Sequence, residues 1–128
     1  MLEYDLRKGV KKAPRNEEEL KDIIYDLCIQ LDPSLAREQL REFYLGVYTV
    51  NFVFWNGSVA LEVKLIKDKS QLQKALTEIV SHIPPFSNAF LHVIFLLYDV
   101  DEVISNVDEI KRSIEAKGDN ILMLVVKH

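Results

Sequence analysis

Glu62 and Lys64 stand two residues apart in the apolar run Val59-Ala60-Leu61-Glu62-Val63-Lys64-Leu65. Asn51 stands in the run just before it, Thr49-Val50-Asn51-Phe52-Val53-Phe54. Together they offer an anionic oxygen donor, a fixed cation and a neutral amide oxygen. Between the runs lies Asn56-Gly57, the strongest short-range hairpin signal, because a type I′ turn takes φ > 0 at both central positions. With that turn Trp55 pairs with Ser58, Phe54 faces Val59, Val53 faces Ala60, Phe52 faces Leu61, and Asn51 lies opposite Glu62. Side chains alternate along a strand, so Asn51, Val53 and Trp55 share a face with Ala60, Glu62 and Lys64. Three polar groups then converge on a surface otherwise built for burial. On residue types alone, the competing account is a solvated cross-strand pattern of the kind strand edges often carry.

The rest of the chain must position this hairpin. Its 128 residues suffice for one domain with a core that needs neither disulfides nor a structural metal. The apolar fraction of 48% beside 28% charged residues is that of an ordinary globular protein. A lone cysteine, Cys28, excludes an internal disulfide framework and a Cys-based zinc site. The charged start lacks the apolar segment of a signal peptide, and nothing approaches the roughly 20 apolar residues of a membrane span, so the expected setting is cytoplasmic, away from membranes. A net charge of −4 argues against coating nucleic acid by charge alone. The charge is unevenly spread: Arg7, Lys8, Lys11, Lys12 and Arg15 crowd the first fifteen residues. We read residues 1–15 as a basic arm and 16–128 as a single domain. The arm could lie on a phosphate backbone, or simply be a solvated tail.

Asn16 with Glu19 makes a capping box, and Leu20, Ile23, Ile24, Leu27, Cys28 and Leu31 follow at helical spacing. Asp32-Pro33 then predicts a second helix, with Ala36, Leu40, Phe43 and Tyr44 on its buried face and Glu38 and Glu42 as an acidic pair off it. After the hairpin, Asp68 or Ser70 caps a helix through Leu72, Ala75, Leu76, Ile79, Val80 and Ile83, which Pro84-Pro85 should stop. The near-continuous apolar run Phe90–Tyr98 predicts a strand buried on both faces, with His92 in the core or at its end. Asp99-Val100-Asp101-Glu102 reads as a turn with a capping acid. Asn106 with Glu109 opens a short helix that Lys117-Gly118 closes, and Ile121–Val126 is a last buried strand. The predicted order is helix, helix, strand, strand, helix, strand, helix, strand. The fold class is therefore α/β with a mixed central sheet of four to five strands, an antiparallel hairpin joined to a parallel strand–helix–strand unit, and helices on both faces.

This order, and Glu62-Val63-Lys64 on the second hairpin strand with a helix next, resembles the PD-(D/E)XK nuclease superfamily of restriction-endonuclease-like domains. Phe95–Asn106, FLLYDVDEVISN, is also similar to the strand and loop that follow in one branch. The resemblance runs from about Glu17 to Val126. It implies that Glu62 maps onto a metal-binding acid and Lys64 onto the lysine that stabilises charge or orients the attacking water. Asn51 stands where the first metal-binding aspartate belongs. Mg²⁺ or Mn²⁺ at such a site lowers the pKa of a bound water and neutralises charge on the phosphate. Asparagine keeps one oxygen but loses the charge, so metal binding is weakened or lost. Helix-borne acids such as Glu17, Glu18, Glu38 or Glu42 are poor candidates to replace it. Gln71 and Gln73 resemble polar residues beside the metal site in some relatives, although a capping box from Ser70 also accounts for Gln73.

The resemblance thus implies a metal-dependent DNA endonuclease-like domain with impaired or lost activity, alone, as a homodimer or with a separate recognition subunit. The alternative is a nuclease-fold module that binds nucleic acid or a protein partner without catalysis. On the resemblance, Asn51→Asp should create or restore cleavage. No Gly-rich phosphate loop, Cys/His cluster or Ser-His-Asp spacing offers a rival chemistry.

Overall fold

A computed structural model describes residues 13–43 and 46–128; the basic arm lies outside them except for Ala13, Pro14 and Arg15, and Tyr44 lies outside as well. In chain order the elements are α1 (Glu17–Cys28), β1 (Ala36–Phe43), β2 (Gly46–Phe54), β3 (Val59–Ile66), α2 (Lys69–Ala89), β4 (His92–Asp99), α3 (Val107–Glu115) and β5 (Ile121–Lys127). They build one five-stranded sheet in the order β1-β2-β3-β4-β5. The β1–β2 and β2–β3 pairs are antiparallel, and β3, β4 and β5 run parallel. The mixed α/β class is as predicted, with helices on both faces. Leu20 and Ile24 of α1 pack with Phe52, Leu61, Val63 and Leu65 on one side. On the other, α2 and α3 bring Ala75, Ile79, Ile83, Phe86, Ile110 and Ile114 against Val53, Ala60, Phe95 and Leu97. No helix among the described residues is long and apolar enough to cross a membrane.

The hairpin forms in the predicted register. Phe54 pairs with Val59, Val53 with Ala60 and Phe52 with Leu61. Asn56 and Gly57 take φ of 57° and 82°, and the Ser58 N–H donates to the Trp55 carbonyl at 3.2 Å. A left-handed Asn-Gly pair is what this tight connection requires.

Three expectations about where the helices run fail. The helix predicted after Asp32-Pro33 is the edge strand β1. The spacing of Ala36, Leu40 and Phe43 imitates a helix face, but Leu40 is 72% exposed and the segment pairs along β2 from Ala36↔Val53 to Phe43↔Gly46. Long-range pairing outweighs a weak local pattern. Asp32 accepts from the Ser34 N–H (3.0 Å) and hydroxyl (2.6 Å) and from the Trp55 N–H (2.6 Å), so it braces a turn against the hairpin corner. Second, α1 ends at Cys28 and leaves Leu31 in solvent. Third, Pro84-Pro85 does not stop α2, which continues to Ala89. Proline's fixed φ suits a helix, and burial of Ile83, Pro85 and Phe86 holds the last turns in place.

Candidate functional site

Beyond Phe52↔Leu61 the β2–β3 pairing stops, whereas β1–β2 continues to Gly46. The break coincides with Glu38, which takes a φ of 54° at the β1 position facing Asn51, between the pairs Arg37↔Phe52 and Gln39↔Val50. Val50 and Val53, three residues apart, both pack into the α2-side core. Asn51 lies at that break, so alternation does not assign it a face, and the backbone ladder makes no Asn51–Glu62 pair. Its Oδ1 accepts the Val63 N–H at 2.8 Å, so the side chain bridges the two strands where their backbones part. The expected alignment of Asn51 opposite Glu62 is replaced by this bridge.

Glu62 and Lys64 do share a face, the one covered by α2, because residues two apart on a strand point the same way. On α2, Glu78 and His82 are four apart and so also share a face. Two strand residues span about 6.7 Å and four helical ones about 6 Å, so the pairs can meet side by side. Since α2 runs back along β3, the order inverts. Glu62 Oε1 lies 2.5 Å from His82 Nδ1, and Lys64 Nζ lies 2.5 Å from Glu78 Oε2. Sequence reading missed Glu78 and His82; the signal was this spacing of four set against the spacing of two.

The Glu62 carboxylate is only 4% exposed, and its Oε2 has no protein hydrogen-bond partner. The His82 ring stacks on Phe86 at 5.2 Å and meets the edge of Tyr48 at 5.3 Å, which fixes the imidazole against Glu62. For Lys64, burial acts to lower the pKa. The Glu78 hydrogen bond and the charges of Glu62, Glu78 and Glu17 outweigh it and hold the ammonium above the ordinary lysine value. The Lys64 hydrogen bond in turn holds the Glu78 carboxyl below the usual glutamate value.

Beside this pair opens a cleft of about 370 Å³ lined by Arg15, Asn16, Glu17, Lys64, Lys67, Gln71, Lys74 and Glu78, among others. Four cations face two carboxylates there, in a chain whose net charge is −4. Glu17 accepts the Leu65 N–H at 3.2 Å, which puts this first-turn acid at the end of β3. Glu18 and Glu38 engage Lys21, and Glu18 also Arg37, so neither is spare. Asp68 caps α2 through the Gln71 N–H, and the Gln71 side chain reaches back to the Lys67 N–H, whereas Gln73 is exposed. His92 sits exposed at the start of β4. Asp99, fully buried, accepts the N–H groups of Val103 and Ile104 at 2.8 Å each and braces the turn predicted there.

A hard dication such as Mg²⁺ takes oxygen ligands from one or two carboxylates and keeps several waters. As arranged, the centre presents one unoccupied carboxylate oxygen, Glu62 Oε2, with the Asn51 oxygen engaged by Val63 and the other Glu62 oxygen by His82. Among the described residues no group of three or more His, Cys, Asp or Glu side chains is gathered to hold a metal ion. This donor set falls short of a cation site. Comparison of the chain with protein-family models, curated proteins and solved structures gave no match.

Proposed function

We propose that this chain is a nucleic-acid-binding domain of nuclease-like design. It receives a DNA phosphate backbone in the cleft beside Lys64, and its capacity for phosphodiester cleavage is lost. The observation that carries this reading is the cleft itself, in which Arg15, Lys64, Lys67 and Lys74 outnumber Glu17 and Glu78 although the whole chain is acidic; Arg15 is paired with Glu19 and Lys64 with Glu78, so Lys67 and Lys74 carry the excess. A local excess of ammonium and guanidinium groups is what neutralises phosphates and releases their counterions. The order of elements and Glu62-Val63-Lys64 on the strand before α2 support the nuclease-like origin. Asparagine at position 51 and the engagement of Glu62 by His82 support loss of cleavage.

A labelled DNA duplex, titrated at several salt concentrations, tests this directly. The wild-type chain should retard it at low ionic strength, with affinity falling steeply as salt rises. Lys67→Glu combined with Lys74→Glu, both exposed positions, should abolish the shift while the chain keeps its folded circular-dichroism spectrum, the melting temperature falling only by what the Lys67 bond to the Arg15 carbonyl contributes. Absence of any shift at low salt, or equal binding by the doubly substituted chain, would overturn the proposal.

A further inference from the structure

We infer that α2 closes the Glu62–Lys64 centre from within: His82 stands on Glu62 where a divalent cation would, and Glu78 stands on Lys64 where an anionic group would. The inference rests on the nuclease-like reading above and adds a cause to the loss of cleavage that Asn51 alone does not supply. Its basis is the double match across the α2–β3 interface. Glu62 meets His82 and Lys64 meets Glu78, each at 2.5 Å, so every charged group of the centre is taken by a neighbour in the same helix. The closure is built rather than incidental. His82 is clamped between Phe86 and Tyr48, and Glu62 is almost wholly buried beneath it. The one unoccupied donor, Glu62 Oε2, accepts no hydrogen bond, and among the described residues it belongs to no cluster of three or more His, Cys, Asp or Glu side chains.

Two separate changes are then needed to open a cation site. Asn51→Asp supplies a second carboxylate while keeping an oxygen for the Val63 N–H. Removing the imidazole frees Glu62 Oε1 and the space above it. Neither suffices alone, because the first leaves His82 on Glu62 and the second leaves only one carboxylate. The inference thus departs from the sequence-based expectation that Asn51→Asp by itself restores the site.

The test uses Mn²⁺ alone, titrated into the full chain and followed by the resonance signal of the free ion, together with thermal melts with and without Mn²⁺. Four proteins are compared: wild type, Asn51→Asp, His82→Ala and the double variant. His82→Asn, a shorter polar side chain, replaces His82→Ala in both contexts if the alanine forms do not fold. The doubly substituted chain should bind one Mn²⁺ more tightly than either single variant by roughly tenfold or more, and it alone should melt higher when Mn²⁺ is present. Asn51→Asp binding as tightly as the double variant would overturn the inference, because His82 would then obstruct nothing. A folded double variant that binds Mn²⁺ no better than wild type would overturn it too. DNA retardation is scored separately in metal-free buffer. A chain that shifts DNA yet fails the Mn²⁺ test refutes the closure and leaves the DNA reading standing, whereas loss of the shift alone refutes that reading.

Discussion

Asn51 joins two strands that have begun to separate. Its amide oxygen is the acceptor for the Val63 N–H in a partly buried position, so Asn51→Ala leaves that donor without its partner. An unsatisfied buried donor costs about 1–3 kcal/mol, and chemical denaturation should show a loss in that range. Asn51→Asp keeps an acceptor and should cost less. If Asn51→Ala unfolds at the same denaturant concentration as wild type, the bridge carries no weight. This role was not legible in the sequence, where strict alternation put Asn51 beside Glu62 and Lys64. The break lies beside Glu38 with its positive φ, thirteen residues before Asn51 in the chain and in a segment whose spacing suggested a helix. Glu62 and Lys64 were legible because their common face follows from strand geometry alone. Their partners were not, since Glu78 and His82 matter only once α2 has folded back over β3.

Among the elements, α2 departs most from local propensity and yet shapes the centre. Pro84 and Pro85 lack N–H groups, so the carbonyls of Val80 and Ser81, four residues earlier, have no helical donor. Pro85 is buried and Pro84 exposed, and the two should therefore respond differently to substitution. At an exposed helical position alanine is favoured over proline by about 3 kcal/mol. Part of that is offset, because proline also restricts the unfolded chain by up to about 1 kcal/mol. A further part is lost because Pro85 disfavours helical geometry at residue 84. Pro84→Ala should thus stabilise the protein by about 1 kcal/mol, measurable by denaturant melts, and a loss of stability would show that the exposed ring contributes packing. Sequence reading placed the end of α2 at this pair because a proline dipeptide is a strong local stop. The helix continues because Ile83 and Phe86 are anchored in the core, which no local rule anticipates. The β2–β3 hairpin was legible for the opposite reason: Asn56-Gly57 sets its own register within a few residues, and tertiary packing merely agrees.

At the scale of the whole molecule, the question is how an acidic chain would hold the acidic ligand proposed for it. Its positive groups are concentrated rather than numerous. Arg15, the last residue of the basic arm, lines the cleft with Lys64, Lys67 and Lys74, and its carbonyl is held by the Lys67 ammonium. Pro14 beside it is buried, so the chain is anchored to the cleft wall at the point where the arm joins the domain. Arg7, Lys8, Lys11 and Lys12 precede this anchor in the sequence and add four cations to the chain just before it. Deleting residues 1–12 should therefore leave the melting temperature unchanged, because the anchor and both core layers are retained. The truncated chain should bind duplex DNA more weakly. Its affinity should also depend less on salt, with the logarithmic slope smaller by roughly 0.9 for each phosphate contact removed. An unchanged affinity and slope would confine DNA recognition to the cleft. A truncated chain that failed to fold would move the domain boundary into the arm. The expected result, weaker and less salt-dependent binding on an intact fold, would make cleft and arm one continuous electrostatic surface. On such a surface the closed Glu62–Lys64 centre would, on the proposed reading, contribute shape and charge and no cleavage.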